Sequence, residues 1–444
     1  MAYVASFNTQ FGRLGAQVAQ LWPEGQVIAN KGKKTDTLGL ALSGGGYRSA
    51  IFCYGVLKGL WDIGVLQKVD YLSAVSGGSW IATPYAMAED LQWFFKTDPD
   101  SANVMEEGFE SLLANPLRLA EEAVLTRFGE KDKQHNNYVN DLFGRLLAKT
   151  FLREHGDYSR WKPLAEPGFI QDSDRPFLIV NGTTNFRRPN SFDVTQECFE
   201  MTRLYCGSRS LGYKDAASLL ADDRPIRVRD AIAISGAAVS VNIAGLGAEV
   251  TGLGLGREIE NYAKGQAAAP ANAPEADRLD VDDGGHYNNL GIESLVNRGC
   301  GFIIVVDAEH DPENKSKTRS NQAYSGLKTL MKRHHIPQPA IPLAQLDRAD
   351  EAVHLIKGAK TIPDILYVKL KSSSGFDKVA AKQRYNKPGF LKHLFSNGDF
   401  SFDPQYSTAK LDYSFAEHRN LSELGAFLVK QSEKLFSGFA RQAK

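Results

Sequence analysis

Residues 37–85 read TLGLALSGGGYRSAIFCYGVLKGLWDIGVLQKVDYLSAVSGGSWIATPY, and this stretch decides the fold. It opens with an apolar strand over residues 38–42, which breaks at a glycine loop over residues 43–49. Apolar residues at helical spacing follow over residues 50–64. A second short strand over residues 71–75 ends in SGGSW, and another helix follows. This order of strand, glycine loop, helix, strand, sharp turn and helix predicts two parallel strands joined by a crossover helix.

The alternation of strands and helices continues beyond this unit and predicts an α/β fold, with a mainly parallel central sheet between two helical layers. From residue 88 to 174 the pattern changes to charged helices without core strands, which predicts a helical insertion. We therefore expect a single domain over residues 1–444, with its core at about 37–308, this insertion, and a C-terminal extension at 309–444. Further strands are predicted at residues 176–184, 192–199, 301–308 and 364–370, and helices at 7–21, 106–113, 140–151 and 228–238.

The composition of the 444-residue chain excludes several classes of protein. Lysine and arginine together number 52, as do aspartate and glutamate, so no net charge draws the chain to nucleic acid, and any contact with lipid must be local and apolar. The four cysteines, Cys53, Cys198, Cys206 and Cys300, lack the spacing of metal ligands and are too few for a disulfide framework. We therefore expect reduced thiols in a cytoplasmic protein.

Two stretches bear on targeting and on membranes. Residues 1–30 lack the basic segment and apolar core of a signal peptide. Residues 231–256 are apolar over a long distance, but they are rich in glycine and include Asn242 and Glu249, which is not typical of a membrane-spanning helix. We interpret them as a buried helix over residues 228–238 and a glycine-rich loop, whose tip is a candidate for contact with lipid.

Ser76 lies where the second strand gives way to a helix, which is the position of the nucleophile in a nucleophile elbow. The N-terminus of the following helix offers partial positive charge to an alkoxide, and Gly77 and Gly78 leave room for a substrate carbonyl. The elbow consensus has glycine two residues before the serine, where this chain has Ala74. Alanine is small enough for the turn, but a serine among glycines can equally be a plain turn residue.

Gly44, Gly45 and Gly46 directly follow the first strand and expose backbone N–H groups that a ligand can approach closely. They precede Ser76 by about thirty residues in the same crossover unit, which makes them candidates for an oxyanion hole. A phosphate-binding loop and a tight strand-to-helix turn are the alternatives. The dinucleotide fingerprint is excluded because Ser49 stands where its last glycine should be, and a P-loop because its Gly-Lys-Ser/Thr ending is missing.

A nucleophilic serine needs a base, and Asp283 is the best candidate because it ends a predicted strand just before Gly284 and Gly285. Aspartate followed by two glycines is also a common turn signal, so a purely structural role stays open. His286 and His310 are alternative bases, and either would complete a serine–aspartate–histidine triad in the α/β-hydrolase chain order.

Three motifs in this order and spacing resemble the patatin-like phospholipases, and look closest to the branch that holds the catalytic domain of cytosolic phospholipase A2. The motifs are GGGYRS at residues 44–49, VSGGSW at 75–80 and DGG at 283–285. Residues 54–60 and 233–238 also look like segments of that branch. The resemblance covers most of residues 37–308, with a weaker similarity to about residue 425.

The resemblance implies a three-layer patatin-like fold and a catalytic dyad without histidine, with Ser76 as the nucleophile and Asp283 as its partner. It implies an oxyanion hole formed by the N–H groups of Gly45 and Gly46. It also implies that Arg48 holds the phosphate of a glycerophospholipid, a task that suits the planar, always-charged guanidinium. A salt bridge at the start of the helix is the alternative role for Arg48.

By the same resemblance, catalysis calls for no metal ion and no cofactor. Because only 36 residues precede the first predicted strand, we expect no calcium-binding membrane module. The expected activity is that of a serine acyl hydrolase, a phospholipase A or lysophospholipase, acting in the cytoplasm and at the periphery of a membrane or on lipid aggregates. A conventional esterase with a triad and a non-catalytic lipid-binding protein of this fold stay open as alternatives, as does the oligomeric state.

Overall fold

The protein is known from a computed structural model, in which one large β-sheet forms the centre. The structure describes residues 3–4, 22–24, 36–95, 138–152, 163–165, 175–187, 193–221, 225–238, 255–267, 269–270, 273–313, 320–333, 346–347, 351–358, 363–385, 402–408, 410 and 413–443.

The strands of the described residues belong to a single twelve-stranded sheet. They are β1 (Tyr3–Val4), β2 (Leu38–Leu42), β3 (Tyr71–Val75), β4 (Phe177–Arg187), β5 (Val194–Met201), β6 (Tyr205–Ser208), β7 (Gly212–Asp215), β8 (Arg257–Glu260), β9 (Arg278–Asp283), β10 (Phe302–Asp307), β11 (Val353–Ile356) and β12 (Asp364–Lys369). Their order across the sheet is β1-β7-β6-β5-β4-β3-β2-β10-β12-β11, and β9 pairs with both β4 and β8.

The helices pack on the two faces of this sheet. They are α1 (Gly46–Asp62), α2 (Gly77–Met87), α3 (Leu91–Phe95), α4 (Tyr138–Phe151), α5 (Ala216–Leu220), α6 (Val228–Ser235), α7 (Gly285–Asn288), α8 (Glu293–Asn297), α9 (Gln322–Arg333), α10 (Ser374–Tyr385), α11 (Phe415–Gln431) and α12 (Glu433–Gln442), with a short 3₁₀ turn at Leu66–Lys68.

Five neighbouring strands at the centre of the sheet, β4, β3, β2, β10 and β12, are parallel. Strand β10 lies between β2 and β12, where Phe302 pairs with both Leu38 and Asp364. Antiparallel strands extend the sheet at both sides, with β5, β6, β7 and β9 beyond β4, and β11 beyond β12. The predicted α/β fold with a parallel central sheet is therefore confirmed, and the antiparallel flanks add to it.

Alternate side chains of the central strands enter two separate apolar cores, so the molecule has three layers. In β10, Ile304 and Val306 belong to the core that also holds helices α1 and α11, whereas Ile303 and Val305 face the core that holds α8 and α9. All six residues of β10 are buried. Burial on both faces is the physical reason that this strand reads as a continuous apolar run instead of an alternating pattern.

The predicted boundaries of the core elements agree with the structure to within a few residues. Helix α1 begins at Gly46, four residues earlier than predicted, because Gly45 at φ 141° caps the helix inside the glycine loop. The strand predicted at residues 192–199 is β5, and the helix predicted at residues 228–238 is the shorter α6. Strands β6, β7, β8 and β11 were not predicted, because four residues are too few for an alternating pattern.

Some predictions concern residues that the structure does not describe. The predicted helices at residues 7–21 and 106–113 and most of the glycine-rich loop after α6 lie outside the described residues. The division into core, helical insertion and C-terminal extension stays a prediction.

In the part of the chain that the structure describes, no helix combines the length and the apolar character that crossing a membrane requires.

Candidate active site

Ser76 occupies a strained turn between strand β3 and helix α2. Its backbone has φ 49° and ψ −126°, a conformation that residues other than glycine rarely adopt and that costs about 1–3 kcal/mol. The Ser76 carbonyl accepts hydrogen bonds from the N–H of Ser79 at 2.8 Å and from the Ser79 hydroxyl at 2.7 Å. The turn lifts the Ser76 hydroxyl out of the sheet, and the residue remains 6 % exposed.

Gly77 and Gly78 let this turn lie directly against the glycine loop. A Cβ atom at Gly77 would stand 2.0 Å from the carbonyl oxygen of Gly46, and one at Gly78 would stand 2.6 Å from the carbonyl oxygen of Leu42. Any larger residue would therefore separate the two loops. Ala74, where the elbow consensus has glycine, is fully buried inside β3 and pairs with Leu42 of β2.

Asp283 ends strand β9, which pairs antiparallel with β4 so that Asp283 lies opposite Gly182. One carboxylate oxygen, Oδ2, accepts a hydrogen bond from Oγ of Ser76 at 3.1 Å. The other, Oδ1, accepts from the N–H of Gly285 at 2.6 Å, which fixes the carboxylate plane. The structure thus joins the hydroxyl and the carboxylate, which are 207 positions apart in the chain.

The surroundings of Asp283 make it a better base than an ordinary aspartate. Asp283 is only 4 % exposed, and burial raises its pKa to about 6, although the hydrogen bond from the N–H of Gly285 acts in the opposite direction. A pKa closer to neutral pH favours proton transfer from a hydroxyl. The Asp283 carboxylate is still ionised at neutral pH, but it binds a proton more strongly than an ordinary aspartate does.

The two histidines considered as alternative bases are placed elsewhere. The imidazole Nδ1 of His286 lies 3.2 Å from Oδ1 of Asp282, the residue before Asp283, and this contact raises the pKa of His286. His310 lies at the surface, and its pKa is lowered by partial desolvation of the ring and by the nearby charge of Arg48. Within the described residues, neither histidine hydrogen-bonds to Ser76 or to Asp283.

The glycine loop lies beside Ser76, as an oxyanion hole requires. A Cβ atom at Gly44 would come within 3.1 Å of the Ser76 Cβ, and the Gly44 N–H donates to the carbonyl of Asn289 at 2.9 Å. Gly45 at φ 141° and Gly46 at φ 60° form the cap and first residue of helix α1. Their N–H groups stand at a helix N-terminus, where backbone donors lack partners within the helix and favour negative charge.

Arg48 is fully buried in the first turn of α1, and its guanidinium is bound by the protein itself. Its Nε donates to the carbonyl of Ala308 at 3.0 Å, and Nη1 donates to the carbonyl of Tyr406. Both terminal nitrogens lie 3.3 Å from the hydroxyl of Thr408, which is exposed. The salt bridge considered for Arg48 is absent from the described residues, and burial lowers its pKa to about 10.

Three polar residues that support the site were not predicted. Thr183 donates its hydroxyl to the carbonyl of Asp283 at 2.7 Å, and Ser235 accepts the N–H of Ser76 at 2.8 Å. The amide nitrogen of Asn181 donates to the carbonyl of Ala74 at 2.9 Å. For Asn181 and Thr183, the polar run inside the buried strand β4 was the available sequence signal, since buried polar groups need specific partners. Ser235 lies in helix α6, outside that run.

The three-layer fold is that of the cytosolic phospholipase A2 structures. The structure of human GIVD cytosolic phospholipase A2 superposes with a TM-score of 0.69 at 16 % identity, covering 96 % of this chain and 64 % of that one. The structure of the same protein in complex with methyl gamma-linolenyl fluorophosphonate gives a TM-score of 0.64 at 17 % identity, covering 97 % of this chain and 62 % of that one.

Residues 38–217 match the sequence model of the lysophospholipase catalytic domain family. Lysophospholipase 1 of Candida albicans is 28 % identical over 194 residues, which is 39 % of this chain and 31 % of the relative. Lysophospholipase 3 of Saccharomyces cerevisiae is 24 % identical over 193 residues, which is 38 % of this chain and 28 % of the relative. The chain thus matches under a third of the length of each of these relatives. The predicted resemblance to phospholipases is confirmed by the match to the lysophospholipase catalytic domain model and by the fold shared with the cytosolic phospholipase A2 structures.

Proposed function

We propose that this protein is a serine acyl hydrolase that cleaves fatty-acyl esters of glycerophospholipids or lysophospholipids. The observation that carries the proposal is the 3.1 Å contact between Oγ of Ser76 and Oδ2 of Asp283, in a buried site beside the glycine loop. Further support comes from the matched lysophospholipase catalytic domain family and from relatives that are named lysophospholipases.

In the proposed reaction, Asp283 takes the hydroxyl proton of Ser76 while Oγ attacks the ester carbonyl carbon. The carbonyl oxygen becomes an oxyanion, and the N–H groups of Gly45 and Gly46 stabilise it. The bond to the alkoxy group then breaks, the leaving alcohol takes the proton from Asp283, and the fatty acid stays on Ser76 as an acyl ester. Water then attacks the acyl ester while Asp283 takes a proton from it. The bond between the acyl carbon and Oγ of Ser76 breaks, Asp283 returns the proton to Oγ, and the fatty acid is released.

The proposed chemistry needs only a nucleophile, a base and N–H donors, so we propose that turnover is independent of calcium and of any cofactor. The proposed substrate lies in a membrane surface or lipid aggregate, reached from the cytoplasm by peripheral contact. The balanced composition, 52 basic against 52 acidic residues, supports contact through local apolar groups over attraction by net charge.

We propose that Arg48 supplies the positive charge for the phosphate of the lipid. Its two terminal nitrogens lie 3.3 Å from the hydroxyl of Thr408, a residue at the surface, and these are the longest of its hydrogen bonds. A phosphate oxygen that replaces the Thr408 hydroxyl would gain a charge-assisted bond, while the contacts to Ala308 and Tyr406 keep the guanidinium oriented.

The test is release of fatty acid from phospholipid and lysophospholipid vesicles, followed by mass spectrometry, for the wild type and for Ser76→Ala. We expect release by the wild type in the presence of a calcium chelator, and a rate lower by about a thousandfold or more for Ser76→Ala. Methyl gamma-linolenyl fluorophosphonate should label Ser76 in the wild type only. Equal release by both proteins would overturn the proposal, and a wild type that neither hydrolyses nor is labelled would indicate a non-catalytic lipid-binding protein.

A further inference from the structure

Ser235 is the last residue of helix α6, and its side chain is fully buried against the turn that carries Ser76. Its hydroxyl accepts a hydrogen bond from the N–H of Ser76 at 2.8 Å and donates one to the carbonyl of Asn181 at 2.6 Å. One hydroxyl therefore joins the backbone of the nucleophile to strand β4. We infer that Ser235 is a positioning residue, which holds Ser76 in its reactive conformation.

The same residue also contacts the turn that carries the base. The backbone carbonyl of Ser235 accepts the N–H of Gly284 at 3.2 Å, directly after Asp283. Strand β4, to which the Ser235 hydroxyl donates, pairs with β9 so that Gly182 lies opposite Asp283. Ser235 thus contacts both the turn that carries Ser76 and the turn that follows Asp283. A change at Ser235 therefore alters the position of Ser76 relative to Asp283.

The conformation of Ser76 explains why such a support is needed. At φ 49° and ψ −126°, the Ser76 backbone persists only where its surroundings hold it on both sides. The carbonyl side is held by Ser79, within the first turn of helix α2. The N–H side is held by the Ser235 hydroxyl. Replacing Ser235 by alanine therefore removes only this one oxygen atom and leaves the backbone hydrogen bonds of the sheet intact.

A network of buried polar side chains holds Asn181, whose carbonyl accepts the hydrogen bond from the Ser235 hydroxyl. The Nδ2 of Asn181 donates to the carbonyl of Ala74 and to the hydroxyl of Ser73, both at 2.9 Å. Its Oδ1 accepts from the hydroxyl of Ser294 at 2.7 Å. Asn181 is thereby fixed between β3 and helix α8, and it presents its backbone carbonyl to Ser235 at a defined place.

The bond to Ser235 has a second consequence for the reaction. Because the N–H of Ser76 already donates to the Ser235 hydroxyl, it is not a free donor for an oxyanion. Stabilisation of that oxyanion then depends on Gly45 and Gly46. The role of Ser235 in this chain is therefore to orient the nucleophile, and it donates no proton to the substrate. This inference rests on the proposed function, because orienting Ser76 matters only if Ser76 attacks an ester.

The test compares Ser235→Ala with Thr202→Ala, a matched control. Thr202 is 1 % exposed, and its hydroxyl likewise bridges backbone groups, accepting from the N–H of Tyr205 at 3.1 Å and donating to the carbonyl of Tyr205 at 2.7 Å. It lies in the turn between β5 and β6, outside the candidate active site. Both variants lose one buried hydroxyl, but only one of them loses the support of Ser76.

We expect Ser235→Ala to lower kcat for vesicle hydrolysis by about 10- to 100-fold, the effect of displacing a reacting atom by up to about 1 Å, and to leave KM within about twofold. The rate at which fluorophosphonate labels Ser76 should fall in parallel. Thr202→Ala should keep wild-type kcat at a comparable loss of melting temperature. Ser235→Thr, which retains a hydroxyl, should recover most of the labelling rate.

Equal kcat values for Ser235→Ala and Thr202→Ala at a similar melting temperature would overturn the inference while leaving the proposed function intact. A fall confined to KM would overturn it as well, since a positioning role acts on the chemical step. If the wild type itself neither hydrolyses the vesicles nor is labelled, the proposed function and the inference fail together. If Ser235→Ala does not fold, Ser235→Cys replaces it, because a thiol is a much weaker hydrogen-bonding group than a hydroxyl. We then expect slower labelling in Ser235→Cys than in Ser235→Thr and Thr202→Ala, and equal labelling rates in all three would overturn the inference.

Discussion

Oδ2 of Asp283 lies 3.1 Å from Oγ of Ser76, and Oδ1 of the same carboxylate lies 2.6 Å from the N of Gly285. The carboxylate therefore uses one oxygen to remain oriented and directs the other at the serine. In a triad these two tasks belong to two residues, because the histidine contacts the serine and the aspartate orients the histidine. Here Gly285 provides the orientation, so the serine has a fixed carboxylate as its neighbour without an imidazole between them.

The first prediction concerns the identity of the base. Asp283→Asn keeps the shape of the side chain but removes the proton acceptor, so we expect release of fatty acid to fall by at least about a thousandfold. His286→Ala and His310→Ala should each keep activity within about threefold. Steady-state assays on vesicles decide the matter, and loss of activity in a histidine variant would replace the dyad by a triad.

The second prediction follows from the raised pKa of Asp283, about 6 against an ordinary value of 3.8. Only the ionised carboxylate accepts the Ser76 proton, so kcat/KM should rise with pH and level off above about pH 6. His286→Ala should retain this profile with its midpoint moved slightly upward, because the charge of His286 lowers the pKa of Asp283. A flat profile between pH 5 and 7, or one abolished in His286→Ala, would contradict the prediction.

The same shift predicts how the stability depends on pH. Between about pH 4 and 6 the folded protein holds a proton on Asp283 that the unfolded chain has released, so stability from this group falls as pH rises. Above about pH 6 the buried charge costs up to about 3 kcal/mol. Asp283→Asn should therefore melt at a higher temperature than the wild type at pH 8, and the difference should vanish near pH 4, as calorimetry would measure.

A further prediction tests the contact between the two glycine loops. Gly77→Ala would place a Cβ 2.0 Å from the carbonyl oxygen of Gly46, so the loops must separate and activity should fall by about 100-fold or more. Gly326→Ala is the matched control, because it meets nothing within 4 Å in helix α9 and should stabilise the helix by about 0.5–1 kcal/mol. Wild-type activity in Gly77→Ala would contradict the close approach of the loops.

The role of Arg48 can be tested by comparing substrates. Arg48→Lys keeps the charge but loses the planar fork that contacts Ala308, Tyr406 and Thr408. We expect kcat/KM for a phospholipid to fall by about tenfold more than for a monoacylglycerol, which carries no phosphate. Thr408→Val removes the competing hydroxyl and should raise kcat/KM for the phospholipid. Equal losses on both substrates in Arg48→Lys would indicate a purely structural arginine.

The last prediction concerns stability away from the site. Arg298 is fully buried, where Nε bonds to Glu24 at 2.8 Å and Nη1 and Nη2 bond to Glu200 at 2.8 and 2.9 Å. Arg298→Ala would leave two carboxylates buried without their partner and should lower the free energy of unfolding by about 3–5 kcal/mol. Arg419→Ala, whose pair with Glu423 is partly exposed to solvent, should cost less than about 1 kcal/mol. Urea denaturation would show whether the two losses differ.

Much of the fold could be predicted from local patterns. The continuous apolar runs predicted the buried strands β2, β10 and β12, because a strand covered on both faces has no polar side. Short or mixed segments carried no such pattern, and β11, with four residues, is an example. Its place in the sheet is decided by pairing with β12, which local sequence does not encode.

For the site, the sequence by itself determined the candidate residues: a serine on a strand-to-helix turn, a glycine loop before it, and an aspartate before two glycines. These are local features, since backbone conformation and helix termini depend on neighbours in the chain. Only the tertiary structure decided that Asp283 reaches Ser76, that Ser235 holds the Ser76 N–H, and that the Arg48 guanidinium is bound by Tyr406 and Thr408. Each of these contacts joins residues more than 150 positions apart, so the packing of strands and helices, and no local pattern, brings them together.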